Sequence, residues 1–252
     1  MKAQVPPLWI DGYAFGRQVL RGGEEPWKAP DELGFFLRDL AQLLSLPLVE
    51  IPVTPAILAW GEQQGVALAS LDPRGMERLL ADTAFRAHLN RGLDTAVGAL
   101  GSRPLALSFP GPGALAALFM EDGDVDEDAL DDLSLSLADL LRALYRPAFF
   151  AVRFHESDPR ALEFFDPLTN VARHYDAASI LVLGGDASPD EASGFDLVYG
   201  EEGGDGSVLG AAIWRGALVG PLADNASFVE VPADMVPEAV LARLRELGDR
   251  AA

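Results

Sequence analysis

Apolar runs of strand length alternate along the chain with longer stretches whose apolar residues recur at helical spacing, the pattern of β-α units around a parallel sheet. Leu8, Trp9 and Ile10 read as a short strand followed by a glycine-containing loop. Pro30 and Asp31 then precede an amphipathic helix that places Leu33, Phe36, Leu37, Leu40 and Leu44 on one face. A strand over residues 46–53 follows, then an apolar stretch at 55–60, a segment at 65–71, and one long helix from Arg74 to Leu100. Further strands are expected over 104–109, 148–155, 179–183, 195–199 and 217–219. Helices are expected at 115–120 and 130–144, with a closing helix over 236–247 that carries Pro237 in its first turn. No internal repeat is visible. The expectation is an α/β protein, one domain over residues 1–252, built as a closed or nearly closed (β/α) TIM-like barrel.

Strand parity nominates a site, because chemistry in a barrel collects on the inward faces near the carboxyl ends of the strands. In the strand over 148–155, Phe150, Val152 and Phe154 form an apolar lane suited to helices, which turns Ala151, Arg153 and His155 inward. The same alternation sets Glu50 opposite Val49 and Ile51, and Ser108 opposite Leu107 and Phe109. Tyr199 and Glu201 end a later strand. Glu50, Arg153 and His155 are thus the candidate catalytic groups, with Ser108, Tyr199 and Glu201 as ligand contacts in one mouth. The same residues also fit a bland arrangement, in which Arg153 and Glu50 or Glu201 form an internal ion pair and His155 ends a strand.

Charge changes the picture of partners. The chain has 252 residues and 39 acidic against 19 basic side chains, a net charge of −20. That field repels phosphate backbones and anionic lipid heads, so neither nucleic acid nor a membrane is expected as a partner. There is no cysteine, which excludes thiolate nucleophiles and sulfur-ligated zinc. Eight carboxylates fall within residues 121–132, and Asp122, Asp124 and Asp126 have the spacing of a calcium loop. Glu127 stands where that loop needs glycine and Leu133 where it needs glutamate, so no metal site and no cofactor is read here. His88 and His174 lie in helical stretches, and Gly184-Gly185-Asp186 reads as a tight turn. The first seven residues hold one lysine, two prolines and no apolar run, and the expected location is cytoplasmic.

Several stretches are similar to one known family. PLALSFPGPGALAALFM at residues 104–120 resembles the strand-loop-helix of uroporphyrinogen decarboxylases, and a similar element of cobalamin-independent methionine synthases. PLWIDGYAFGR at 7–17, EIPVTPAIL at 50–58, GFDLVYGEE at 194–202 and RGALVGPLADNA at 215–226 resemble further decarboxylase motifs in the same order. The resemblance implies a TIM-like barrel, with Glu50 at the place of the family's catalytic aspartate and Arg17 as a ligand-binding arginine. The chain departs from the family in three places. Asp11 and Gly12 stand where the first arginine is expected, His155 and Glu156 where an Asp-Ser-Trp stretch is expected, and the chain ends before the family's late histidine. The last departure leads to the expectation of a barrel incomplete at its C-terminal end.

Two functions follow as expectations. One is a metal-free carboxy-lyase on a small carboxylated ligand, with Arg17 and Arg153 binding the carboxylate and Glu50 moving a proton or steadying a cation. The other is a non-catalytic member of the fold that binds a ligand or a partner. An open sheet edge would then have to be covered or paired, as in a homodimer.

Overall fold

The structure, a computed structural model, describes residues 5–119, 125–216 and 226–251. Eight parallel strands form one sheet: β1 (Leu8–Asp11), β2 (Val49–Pro52), β3 (Leu105–Pro110), β4 (Phe149–Glu156), β5 (Ala178–Leu183), β6 (Leu197–Gly200), β7 (Gly206–Leu209) and β8 (Ser227–Glu230). Their order is β1-β8-β7-β6-β5-β4-β3-β2, so the sheet curls until β8 pairs with β1, and only β1 and β2 share no backbone ladder. This is a (β/α)8 TIM-like barrel with one unsealed seam. Its helices are α1 (Tyr13–Arg21), α2 (Leu33–Leu43), α3 (Thr54–Gln64), α4 (Pro73–Ala81), α5 (Thr83–Leu100), α6 (Pro112–Ala116), α7 (Glu127–Leu144), α8 (Asp166–His174) and α9 (Pro237–Ala251). Among the described residues no helix is long and apolar enough to cross a membrane.

The main core lies between sheet and helices. It takes the outward strand residues, such as Ile51, Leu107, Val152 and Phe154, together with the apolar faces of α2, α5 and α7. A smaller cluster fills the barrel itself, with Trp9, Leu48, Ala106, Ala151, Ile180, Val182, Tyr199 and Phe228. Because barrel strands tilt, side chains at one height advance by about one residue from strand to strand. Followed in this way, the register stacks inward residues in layers of four from alternate strands. The middle layer is Glu50, Arg153, Tyr199 and Phe228. Beneath it lie Trp9, Ala106, Ile180 and Gly206, and above it Asp11, Ser108, Val182 and Val208. A side chain on Gly206 would come within 2.6 Å of the Tyr199 ring, so a bare backbone is what lets that ring into the barrel.

Several expectations need correction. The single helix over 74–100 is two helices, because Asp82 leaves helical backbone and its carboxylate caps α5 by accepting from the Phe85 amide at 2.7 Å. The glycine-containing loop after β1 folds as α1. The barrel is not short of its last strand, since β7 and β8 complete the eight and the opening falls between β1 and β2. The strand expected at 217–219 lies outside the described residues, as do Asp122 and Asp124 of the calcium-like spacing. Phe150 does not join the helix-facing lane. A register shift between Leu105 and Ala106 makes room for one extra residue in β4, so Phe149 faces the helices and Phe150 packs against the barrel-interior cluster.

Candidate functional site at the barrel mouth

Arg153 is the centre of the barrel's charge. Its side chain is 7% exposed, Nε donates to Glu50 Oε2 at 2.9 Å, and Nη2 donates both to Glu50 Oε1 and, at 3.1 Å, to Asp11 Oδ2. The guanidinium lies 5.0 Å from the centre of the Phe228 ring in the same layer. Trp9, one layer below, donates its indole N–H to Glu50 Oε2 at 2.8 Å. Glu50 is therefore held from two sides, by a bidentate cation and by a neutral donor. Nη1 of Arg153 has no hydrogen-bond partner among the described residues.

Asp11 completes the cluster at the carboxyl end of β1. Its Oδ1 accepts the Tyr13 amide at 3.1 Å and its Oδ2 the Arg153 guanidinium. Burial, and then the neighbouring Glu50 charge, push its pKa from the ordinary carboxylate range up to about 7, with Arg153 and the Tyr13 amide pulling the other way. When protonated, Asp11 leaves Glu50 and Arg153 as a balanced pair.

The other expected site residues distribute unevenly. Ser108 is buried and pairs in register with Arg153, one layer above it on the inward face. His155 stands at the rim on the same face, with Nε2 3.5 Å from Ser157 Oγ. Partial burial, and then the Arg153 charge, lower its pKa and favour the neutral imidazole. Tyr199 is fully buried in the middle layer. Its hydroxyl has no hydrogen-bond partner among the described residues, and burial raises its pKa. Glu201 is exposed in the 201–205 loop after β6, away from this cluster's hydrogen bonds. Arg17 sits on α1 and pairs with Glu25 at 3.1 Å, not with the barrel cluster. His88 and His174 are helix residues as expected, and His88 Nε2 lies 2.7 Å from the Trp27 carbonyl.

Sequence reasoning missed two carboxylates. Asp11 was legible in principle, because Leu8 and Ile10 face the helices and so Trp9 and Asp11 share the inward face. Glu156 left only a faint signal, an acid on the outward side of β4. It is fully buried, and its oxygens accept from the amides of Gly113, Ser157 and Asp158 at 2.8–2.9 Å and of Ala114 at 3.4 Å. Its task is to tie the β3–α6 loop to the loop after β4. Among the described residues no group of three or more His, Asp or Glu side chains is arranged to hold a metal ion.

No protein-family model matches the chain, and no curated protein matches it. Any functional reading therefore rests on the residues of the mouth.

Proposed function

We propose that the chain is a uroporphyrinogen-decarboxylase-like barrel protein that binds a small carboxylated ligand above Asp11, Arg153 and Glu50, and that Asp11 serves there as a metal-free proton donor of the carboxy-lyase type. The observation that carries this reading is the placement of the Asp11 carboxyl 3.1 Å from Arg153 Nη2, beside a guanidinium nitrogen with no partner among the described residues; burial and the Glu50 charge raise the Asp11 pKa to about 7. With Asp11 protonated, a ligand carboxylate would meet two donors, the Asp11 hydroxyl and Arg153 Nη1, over a neutral Glu50–Arg153 pair. If a carbon–carboxylate bond breaks in that position, the electron pair stays on carbon, carbon dioxide leaves, and Asp11 is the group able to return a proton. A ligand with several carboxylates suits the mouth poorly, because Glu230 lies near Asp11 and raises its pKa further.

A second reading, a non-catalytic ligand- or partner-binding barrel, is favoured by how completely Glu50 is held by Arg153 and Trp9. Calorimetric titration with acetate, benzoate and pyruvate, together with carbon dioxide release from a panel of small monocarboxylates, tests the two. The first reading expects binding at pH 6 that weakens about tenfold per pH unit above 7, and loss of that pH dependence in Asp11→Asn. Absence of binding at pH 6 for all three probes would overturn it; binding without carbon dioxide release would leave the second.

A further inference from the structure

A cavity of about 490 Å3 lies outside the barrel, beside the amino end of β1. Its floor is the helix-facing side of β1, Leu8 and Ile10, one wall is Leu44 just after α2, and the other is Leu241 and Leu244 of α9. The seam explains it. In a fully closed barrel the helices flanking β1 would meet over a continuous sheet, whereas here β1 has no β2 ladder and α9 packs on β1 and on the turn Ala211–Arg215. The result is an apolar groove between α2 and α9, in the size range of small-molecule sites, roughly 300–1,000 Å3.

Among the described residues, one charged side chain lines this groove. Arg245 is exposed on α9 and has no ion pair among the described residues, although the neighbouring Arg243 pairs with Glu246 at 2.6 Å. In a chain with net charge −20, a cation left unpaired beside an apolar cavity selects for an occupant with the opposite charge at one end and hydrocarbon at the other. We propose that the groove between α2 and α9 binds a medium-chain aliphatic carboxylate, its chain against Leu8, Ile10 and Leu44 and its head group at Arg245. Unlike the mouth, this site has no carboxylate among its described lining residues.

The test is calorimetric titration of the full chain with decanoate, octanoate and decanol below their aggregation limits. Decanoate should bind one to one, and octanoate should bind about fifteenfold more weakly, from about fourfold per methylene lost. Arg245→Gln should weaken decanoate a few-fold and leave decanol unchanged, as an exposed ion pair predicts. Leu241→Trp should fill the groove and abolish both, and Arg245→Gln, on an exposed position, keeps the test decisive if that larger change perturbs folding. No decanoate binding, binding indifferent to both variants, or binding lost in Asp11→Asn but kept in Leu241→Trp would overturn the proposal. So would binding that emerges only after residues 1–4 are deleted, which would assign the groove to the chain's own N-terminus.

Discussion

Trp9 donates its indole N–H to Glu50 Oε2 at 2.8 Å across the one place where neighbouring strands of the barrel share no backbone ladder. With no main-chain hydrogen bonds between β1 and β2, the link is made by side chains: Trp9 to Glu50, and Asp11 to Glu50 through Arg153. Replacing Trp9 by phenylalanine keeps most of the apolar volume and removes the donor. A buried acceptor losing a partner costs about 1–3 kcal/mol. Urea denaturation of Trp9→Phe should show that loss, and a change below about 0.5 kcal/mol would mean that the indole bond does not hold the seam.

Arg153→Ala separates a hydrated ligand mouth from a buried structural pair. Side-chain exposures of 7% for Arg153 and 5% for Glu50 place the pair out of water, so Glu50 could not resolvate once its cation was gone. The expected loss of folding stability is about 3–5 kcal/mol, and removing both charges together, as Glu50→Leu with Arg153→Leu, should cost clearly less. Equal losses in the single and double variants would point to packing of the arginine stem as the cause.

Asp11 gives the folded protein a pH dependence of definite sign. Its folded pKa of about 7 lies above the ordinary 3.8, so the folded state holds the proton more tightly than the unfolded state. Stability from this group is fully present below about pH 4, declines as pH rises towards 7, and is flat above, with a total of at most roughly 4 kcal/mol. Asp11→Asn should abolish that slope and gain on the wild type as pH rises. Denaturation midpoints at pH 5, 6, 7 and 8 check this, and parallel curves for the two proteins would contradict it.

The apolar runs and their parity are enough to place six of the strands, β1 to β6, and to turn Glu50, Ser108, Arg153 and His155 inward, because successive strand side chains point to opposite faces. They do not reach β8, and they do not reach β7. Only residues 201–205 separate it from β6, with Gly203 and Gly204 at positive φ, so no helix announces the crossover. Phe150 was misplaced for a similar reason, since a single extra residue reverses parity and leaves no trace in hydrophobicity. The pairing of Arg17 with Glu25 depends on how the 3-10 turn Pro26–Lys28 folds back on α1, a tertiary matter that spacing does not encode.

Chelation with EDTA should leave the melting temperature unchanged, because the described carboxylates that are buried, Glu50 and Glu156, already have arginine, indole or amide partners. A fall of several degrees would reveal a structural ion.

Two glycine-to-alanine changes should have opposite signs, and together they test the clamp made by Glu156. At Gly111 an added Cβ would overlap Glu156 Oε2 and stand 2.7 Å from Phe165 Cζ, both fixed by their own packing. Relief requires moving the carboxylate away from the amides of Gly113, Ser157 and Asp158, or shifting the ring. Either loses buried hydrogen bonds or opens the core, for about 2–4 kcal/mol. At Gly98 on α5 the added Cβ meets nothing within 4 Å and the backbone is helical, so alanine should stabilise by about 0.5–1 kcal/mol through helix propensity and a less flexible unfolded chain. Chemical denaturation of both variants measures the difference. If Gly111→Ala were as harmless as Gly98→Ala, the β3–α6 loop would not be held by Glu156.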